Sequence, residues 1–203
     1  CGADPSYIVG GVMGNTGTNA GVGKGGWFVI EADEYENMFL GLRPDIAVIT
    51  NIEWDHPDFF ETPEAMVRAF EKFVDLLDDS DFGVLIGCAD DRFVRDLALK
   101  WVGKHNGVGL YGSMEQFSDP PMGMEYFRVV NVITDASGLC SFSIEHEGML
   151  YPKRVRLSLS GRHNAHNAVA AMLAVNAAGA AKSSEGAGFD DAAKALESFI
   201  PPA

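Results

Sequence analysis

At 203 residues the chain is long enough for one sizeable domain with a substantial core, and 47% apolar with 22% charged residues is the make-up of an ordinary globular protein. Twenty-nine acidic against fifteen basic side chains leave a net charge of −14, which argues against nucleic-acid or anionic-membrane binding because no basic face could dominate the field. Three cysteines cannot all pair within one chain; Cys88 and Cys140, in apolar or alternating runs, are expected to be buried thiols, and Cys1 carries no signal. No apolar run approaches bilayer length, and no basic stretch leads into an apolar one as in a secretory leader, so a reducing cytoplasm is the expected setting.

In chain order, Trp27–Ile30 is a short apolar run that reads as a buried strand and ends in Glu31-Ala32-Asp33-Glu34. Residues 45–52 form a second, nearly all apolar, as a strand covered on both faces should be. Thr62-Pro63-Glu64 supplies a cap, a proline at the first helical position and an acid near the positive helix end. Met66, Val67, Phe70, Phe73, Val74 and Leu77 then recur at helical spacing. Residues 82–88 predict a third strand, Asp90 to Trp101 a second helix, and 107–112 a fourth strand. Alternation of this kind predicts a mainly parallel sheet flanked by helices, the α/β class. Residues 124–160 break the pattern. Three alternating runs (126–134, 139–145 and 155–159), separated by turn residues at 135–138 and 145–148, predict a small antiparallel sheet appended to the parallel one. An Ala-rich helix follows Gly161, a loop spans 183–188, a short helix covers 190–199, and Pro201-Pro202 reads as the start of a linker.

The glycine-dense stretch Gly10 to Gly26 invites a phosphate-loop reading and fails it. The Walker spacing would need glycine at Thr18 and a hydroxyl residue at Gly25, and the dinucleotide fingerprint would need a helix where a strand follows. A flexible connecting or substrate-facing loop is the expectation. Three carboxylates in Glu31–Glu34 sit at a strand end, where open α/β sheets bind ligands. They repel unless a cation or donors compensate, so the choice lies between a metal site and a solvated turn. Thr50-Asn51-Ile52-Glu53-Trp54-Asp55-His56 ends the next apolar strand with a similar mixture, and would sit beside the first cluster if the two strands are neighbours. Asn164 and Asn167, one helical turn apart behind His163, share a face whose amides suit either a purine edge or plain helix capping.

Taken together these motifs resemble the central, ATP-handling domain of the Mur ligases over nearly the whole chain. The matching stretches are Ala3-Asp4-Pro5 through Gly10-Gly11, Glu31 to Tyr35, Arg43-Pro44-Asp45, Thr50 to Glu53 with Asp55-His56, Cys88 to Asp91, and Gly161 to Asn164 with Asn167-Ala168. The resemblance implies a P-loop NTPase-like fold. It also implies a bacterial cytoplasmic enzyme in which ATP phosphorylates a muramic carboxylate and an amine displaces phosphate from the acyl phosphate. On that likeness Glu31 and His56 are the catalytic, Mg2+-holding residues, and His163, Asn164 and Asn167 contact the adenine of ATP. A nitrogen ligand on so hard a cation is unusual, so the role of His56 rests on the likeness rather than on coordination chemistry.

Asp90-Asp91 and the Gly-Arg-His-Asn helix start look most like the alanine-adding branch, whose substrates are UDP-N-acetylmuramate and L-alanine. The ligase that recycles murein tripeptide shares the Glu-Ala-Asp-Glu-Tyr stretch and remains an alternative, as does a non-catalytic nucleotide-binding module. The likeness places the family's phosphate loop upstream of residue 1 and a C-terminal domain after residue 203. Residues 1–203 are therefore expected to be a central domain inactive alone, partnered by the N- and C-terminal domains of the same enzyme. Lys72, the first lysine after His56, falls in the predicted helix and is given no metal role.

Overall fold

The computed structural model describes residues 2–77, 82–103, 107–117, 120–181 and 188–201. Cys1, Pro202 and most of the expected 183–188 loop lie outside the described residues. In chain order the elements are β1 (Ser6–Ile8), β2 (Ala20–Gly21), β3 (Phe28–Ile30), a 3-10 segment (Tyr35–Gly41), β4 (Ile46–Ile49), α1 (Pro63–Val74), β5 (Val84–Cys88), α2 (Arg92–Trp101) and β6 (Gly107–Gly112). A short 3-10 turn (Glu115–Phe117) leads to β7 (Met124–Thr134), β8 (Cys140–His146), β9 (Met149–Leu150), β10 (Val155–Leu157), α3 (Arg162–Ala181) and α4 (Phe189–Glu197). The strands form a three-stranded sheet, β2-β1-β3, and a seven-stranded sheet of order β10-β8-β7-β6-β5-β4 with β9 on β8. The expected α/β class, a mostly parallel sheet with helices and a small antiparallel extension, therefore forms, except that the run at 126–134, expected in the extension, is β7 and pairs parallel with β6. The chain divides into two compact units, Cys1–Ala32 with Asn131–Ser143 and Lys153–Ala203, and Asp33–Val130 with Ile144–Pro152.

The second unit is built on four parallel strands, β4 to β7, in the registers Ile49↔Gly87, Cys88↔Tyr111 and Gly112↔Arg128. Leu85, Ile86, Leu110 and Tyr111 are fully buried, because strands in a parallel sheet meet side chains on both faces. Helix α1 starts where the cap chemistry says it should: the Thr62 side chain accepts from the Ala65 N–H and Pro63 occupies the first turn. It buries Met66, Ala69, Phe73 and Val74, and Phe39 of the 3-10 segment stacks on Phe73 at 4.8 Å between ring centroids. Helix α2 begins two residues later than the sequence pattern suggested. Asp91 is its cap, accepting from the Val94 N–H at 2.8 Å, and a capping residue is by definition outside the helix.

The first unit holds the three-stranded sheet, α3 and α4, with α4 packed on α3 and β10. Strand β10 pairs antiparallel with β8, Leu157 opposite Cys140. Cys88 and Cys140 are both buried free thiols, as their apolar settings suggested.

Two further expectations are corrected here. The run ending at Ile30 is a strand, but it lies in the small sheet parallel to β1 rather than beside β4, and Phe28, Val29 and Ile30 are 55%, 52% and 37% exposed rather than buried. Apolar character therefore overstated its burial. The glycine-rich stretch is not a flexible loop throughout, because part of it forms β2 and the next residues are pinned. Gly25 N–H donates to Asp4 O at 2.8 Å, and Lys24 N–H donates to the Asp4 carboxylate at 3.0 Å. A Cβ at Gly23 or Gly25 would overlap the backbone of residues 3–5, so close chain approach requires glycine at both positions.

Candidate functional site

In the second unit the polar end of β4 runs into a tight turn around His56. The Asp55 carboxylate accepts from the His56 N–H at 2.7 Å, and the His56 carbonyl accepts from Phe59 and Phe60 N–H at 2.9 and 2.8 Å. The Trp54 indole N–H closes the turn by donating to Phe60 O at 2.8 Å. His56 itself adopts φ +52°, a left-handed conformation that costs a non-glycine residue on the order of 1–2 kcal/mol and that histidine tolerates better than most. Its side chain is 35% exposed, with Nε2 3.7 Å from Glu34 Oε1 and 4.0 Å from Asp55 Oδ2.

The acidic stretch after β3 splits its carboxylates among different partners, which answers how like charges coexist there. Glu31, in the first unit, turns one oxygen to the Gly10 N–H at 2.6 Å. Asp33, in the second, accepts from Tyr35 N–H at 2.9 Å. Glu34 faces His56. Tyr35 lies against the His56 ring, 4.7 Å between centroids, and donates its hydroxyl to Asp58 Oδ2 at 2.8 Å. That Asp58 bond and charge hold the Tyr35 phenol above its ordinary value. Sequence reasoning weighed Glu34 only as one carboxylate of the acidic cluster and gave Tyr35 and Asp58 no role; Tyr35 lay within a recognised stretch, whereas Asp58 had no signal at all.

Helix α3 opens on Gly161 at φ +94°, with the His163 ring folded back so that a Cβ on Gly161 would come within 2.8 Å of it. Asn164 spends one amide proton on Ser160 O at 2.8 Å, which orients the group and leaves its oxygen and second proton for another partner. Asn167 is exposed one turn later. His163, Asn164 and Asn167 thus share the opening of α3 in the first unit, with Glu31 in that same unit and His56 in the other. Lys72 is exposed in the last turn of α1.

Past β5, Asp90 accepts from the Ser113 N–H at 2.9 Å and the Ser113 hydroxyl at 2.7 Å, tying this strand end to that of β6. Burial raises the Cys88 thiol and the phenols of Tyr111 and Tyr126 above their ordinary ranges.

Polar loops at the carboxyl ends of parallel strands define an open-sheet α/β protein of the kind that binds ligands at strand ends. Within that class the chain belongs to the Mur ligase middle domain family, whose model matches residues 22–175. It is 43% identical over 186 residues to the UDP-N-acetylmuramate–L-alanine ligase of Nocardia farcinica, and 40% identical over 192 residues to that of Rhodococcus erythropolis. Each match covers 89% of this chain and spans 36% and 38% of the respective relative. Among solved structures it is similar to the UDP-N-acetylmuramate:L-alanyl-gamma-D-glutamyl-meso-diaminopimelate ligase of Neisseria meningitides. The TM-score is 0.77 and the identity 26%, over 100% of this chain and 59% of that one. A UDP-N-acetylmuramate-alanine ligase from Thermotoga maritima shares the fold at TM-score 0.71 and 21% identity, over 98% of this chain and 39% of that one. Among the described residues no helix is long and apolar enough to cross a membrane.

Proposed function

We propose that the chain is the central part of an ATP-dependent, ADP-forming ligase that joins L-alanine to UDP-N-acetylmuramate in cytoplasmic peptidoglycan precursor synthesis. The observation that carries this reading is the 43% identity, sustained over 89% of the chain, to a relative of that name. In the reaction, the γ-phosphoryl group passes from ATP to an oxygen of the muramic carboxylate and ADP leaves. The amine nitrogen of L-alanine then attacks the acyl carbon, the C–O bond to phosphate breaks, and the amine gives up its proton. The rest of the relatives' length would belong to the same enzyme.

Glu31 and His56 are the residues proposed to hold Mg2+, which would spread negative charge during transfer. Taken singly, Glu31 offers the oxygen donors a hard cation takes, with one of them engaged by Gly10 N–H, and the His56 ring within its own unit is flanked by the Glu34 and Asp55 carboxylates. The neutral His56 nitrogen is the less conventional member of that set. Asn164, oriented by Ser160 O, and Asn167 with His163 are proposed to hydrogen-bond the adenine edge. The backbone and side chains here would serve mainly to align two anions that repel in water.

A second reading, the ligase that attaches a whole tripeptide, draws support from the similarity to the Neisseria meningitides enzyme at TM-score 0.77. Phosphate release by the native-length protein separates the two. With ATP, Mg2+ and UDP-N-acetylmuramate, release on adding L-alanine is the expected result, and release only with tripeptide would transfer the protein to the second reading. No release with either acceptor from folded protein would leave a nucleotide-binding module without chemistry.

A further inference from the structure

Backbone bonds fix where the Cα of His56 sits, but they do not fix the plane of its ring. Among the described residues the imidazole makes no hydrogen bond: its nearest carboxylate oxygen, Glu34 Oε1, is 3.7 Å from Nε2, beyond hydrogen-bond range. A histidine that holds a metal ordinarily has its ring oriented by a second polar partner. Here the orienting contact is aromatic. The Tyr35 ring lies 4.7 Å from the imidazole, tilted by 42°, and touches Phe59 edge-on at 6.1 Å. Its hydroxyl reaches Asp58 Oδ2 at 2.8 Å, so a single side chain meets residues 56, 58 and 59 of one turn. Tyr35 is also tied at its own backbone, where its N–H donates to Asp33 Oδ1 at 2.9 Å. A phenol fastened at both ends is a fixed wall, and the His56 ring lies tilted against it.

We propose that Tyr35, anchored through its hydroxyl to Asp58, is a positioning residue that sets the plane of the His56 imidazole and hence the direction its nitrogen presents to Mg2+. The inference rests on the reading of His56 as a magnesium-holding residue and adds two residues to which neither composition nor motif spacing assigned a role.

The test uses two readouts. Proton NMR of the chain reads the ring-current displacement of the His56 Hε1 and Hδ2 resonances, assigned by their loss in His56→Gln. The magnesium midpoint of phosphate release, at saturating ATP in the native-length protein, reads the consequence. Tyr35→Leu is expected to abolish the displacement and raise the midpoint about tenfold or more, the usual penalty for losing an outer support of a metal ligand. Tyr35→Phe keeps the ring and is expected to recover most of the displacement. Asp58→Ala, which loses only the anchor, is expected to match Tyr35→Phe. If the leucine variant does not fold, these two conservative variants carry the test through a smaller rise in midpoint.

An unchanged His56 displacement in Tyr35→Leu overturns the proposal, as does a lost displacement with an unmoved midpoint. His56→Gln separates the levels. If it raises the midpoint while the Tyr35 and Asp58 variants do not, positioning alone is wrong. If it leaves the midpoint unchanged, the metal reading of His56 fails and the proposal falls with it.

Discussion

Gly87, in the middle of β5, lies beneath α2, and a methyl group there would meet Val94 Cγ1 at 2.7 Å and Leu110 Cδ2 at 3.1 Å. Carbon atoms prefer about 3.5–4.0 Å, so Gly87→Ala must push the helix and strand apart by roughly 1 Å or force a side chain off its rotamer. Val94 is the harder of the two neighbours to move, because β-branched residues on a helix have essentially one χ1 well. Both neighbours are buried, at 1% and 0% exposure, so neither can swing into solvent. Overpacking of this kind costs about 1–3 kcal/mol. The glycine's unfolded-state entropy offsets about 0.4–1 kcal/mol of it, since its backbone is not in the left-handed region. The net expectation is a loss of about 1.3 kcal/mol within a range of about 0–2.6 kcal/mol, the central figure being roughly 3–5 °C in Tm for a chain of this size.

Val94→Ala alone should cost about 2 kcal/mol by removing two buried methyl groups and leaving a cavity. Combined with Gly87→Ala, the new methyl occupies part of that space. The double variant should therefore be about 1–2 kcal/mol more stable than the sum of the single losses. Urea unfolding of the four proteins measures the cycle. Additive losses would refute the steric account of Gly87, and a stabilised Gly87→Ala would refute the packing of α2 on β5 at that point.

Asp91→Ala should cost about 1 kcal/mol in urea unfolding through loss of the 2.8 Å cap to Val94 N–H, and Asp91→Ser should recover most of it. The buried phenols of Tyr111 and Tyr126 and the Cys88 thiol bind their protons more tightly folded than unfolded. Their contribution is therefore complete below the ordinary values, about 8.5 for Cys and 10 for Tyr, and is lost as pH rises above them. The urea midpoint should fall between pH 8 and 11, and a Tyr126→Phe protein with an equally steep fall would contradict the assignment for that residue. Cys88 and Cys140, both buried, should resist iodoacetamide in the native protein at pH 8 and react once urea unfolds it. In the native-length protein, Asn167→Ala should raise KM for ATP about 2–10-fold, the worth of one neutral hydrogen bond, with folding stability unchanged because the side chain is exposed. An unmoved KM would remove Asn167 from the proposed adenine contact.

Local chemistry made α1, α2 and the parallel strands β4 to β6 legible in advance. A threonine cap followed by proline, an aspartate before a periodic apolar run, and unbroken apolar strands each carry their own instruction, and neighbours within a few residues complete it. The same holds for the strand-end clusters at Glu31 and His56, because strand ends are where polar residues interrupt apolar runs. Two features could not be read that way. The apolar run at Phe28–Ile30 has the same composition as a buried strand, yet it pairs with β1 and remains exposed, and only pairing partners distant in sequence decide that. The glycines at 23 and 25 looked like a loop because the approach of residues 3–5, which demands them, is invisible in a local window.

Asp58 is the clearest case of what tertiary structure alone decided. Its sequence context, between Pro57 and Phe59, reads as an ordinary solvated turn residue. It gains a role only because the turn after β4 brings it to the hydroxyl of Tyr35, 23 residues earlier. Sequence by itself determined the fold class, most helix starts and the residues with chemistry to offer, since these depend on short-range periodicity and on side-chain type. Which carboxylate faces which partner, and which ring supports the His56 imidazole, depends on distances set by the whole packed sheet. Those distances exist only once the chain has closed.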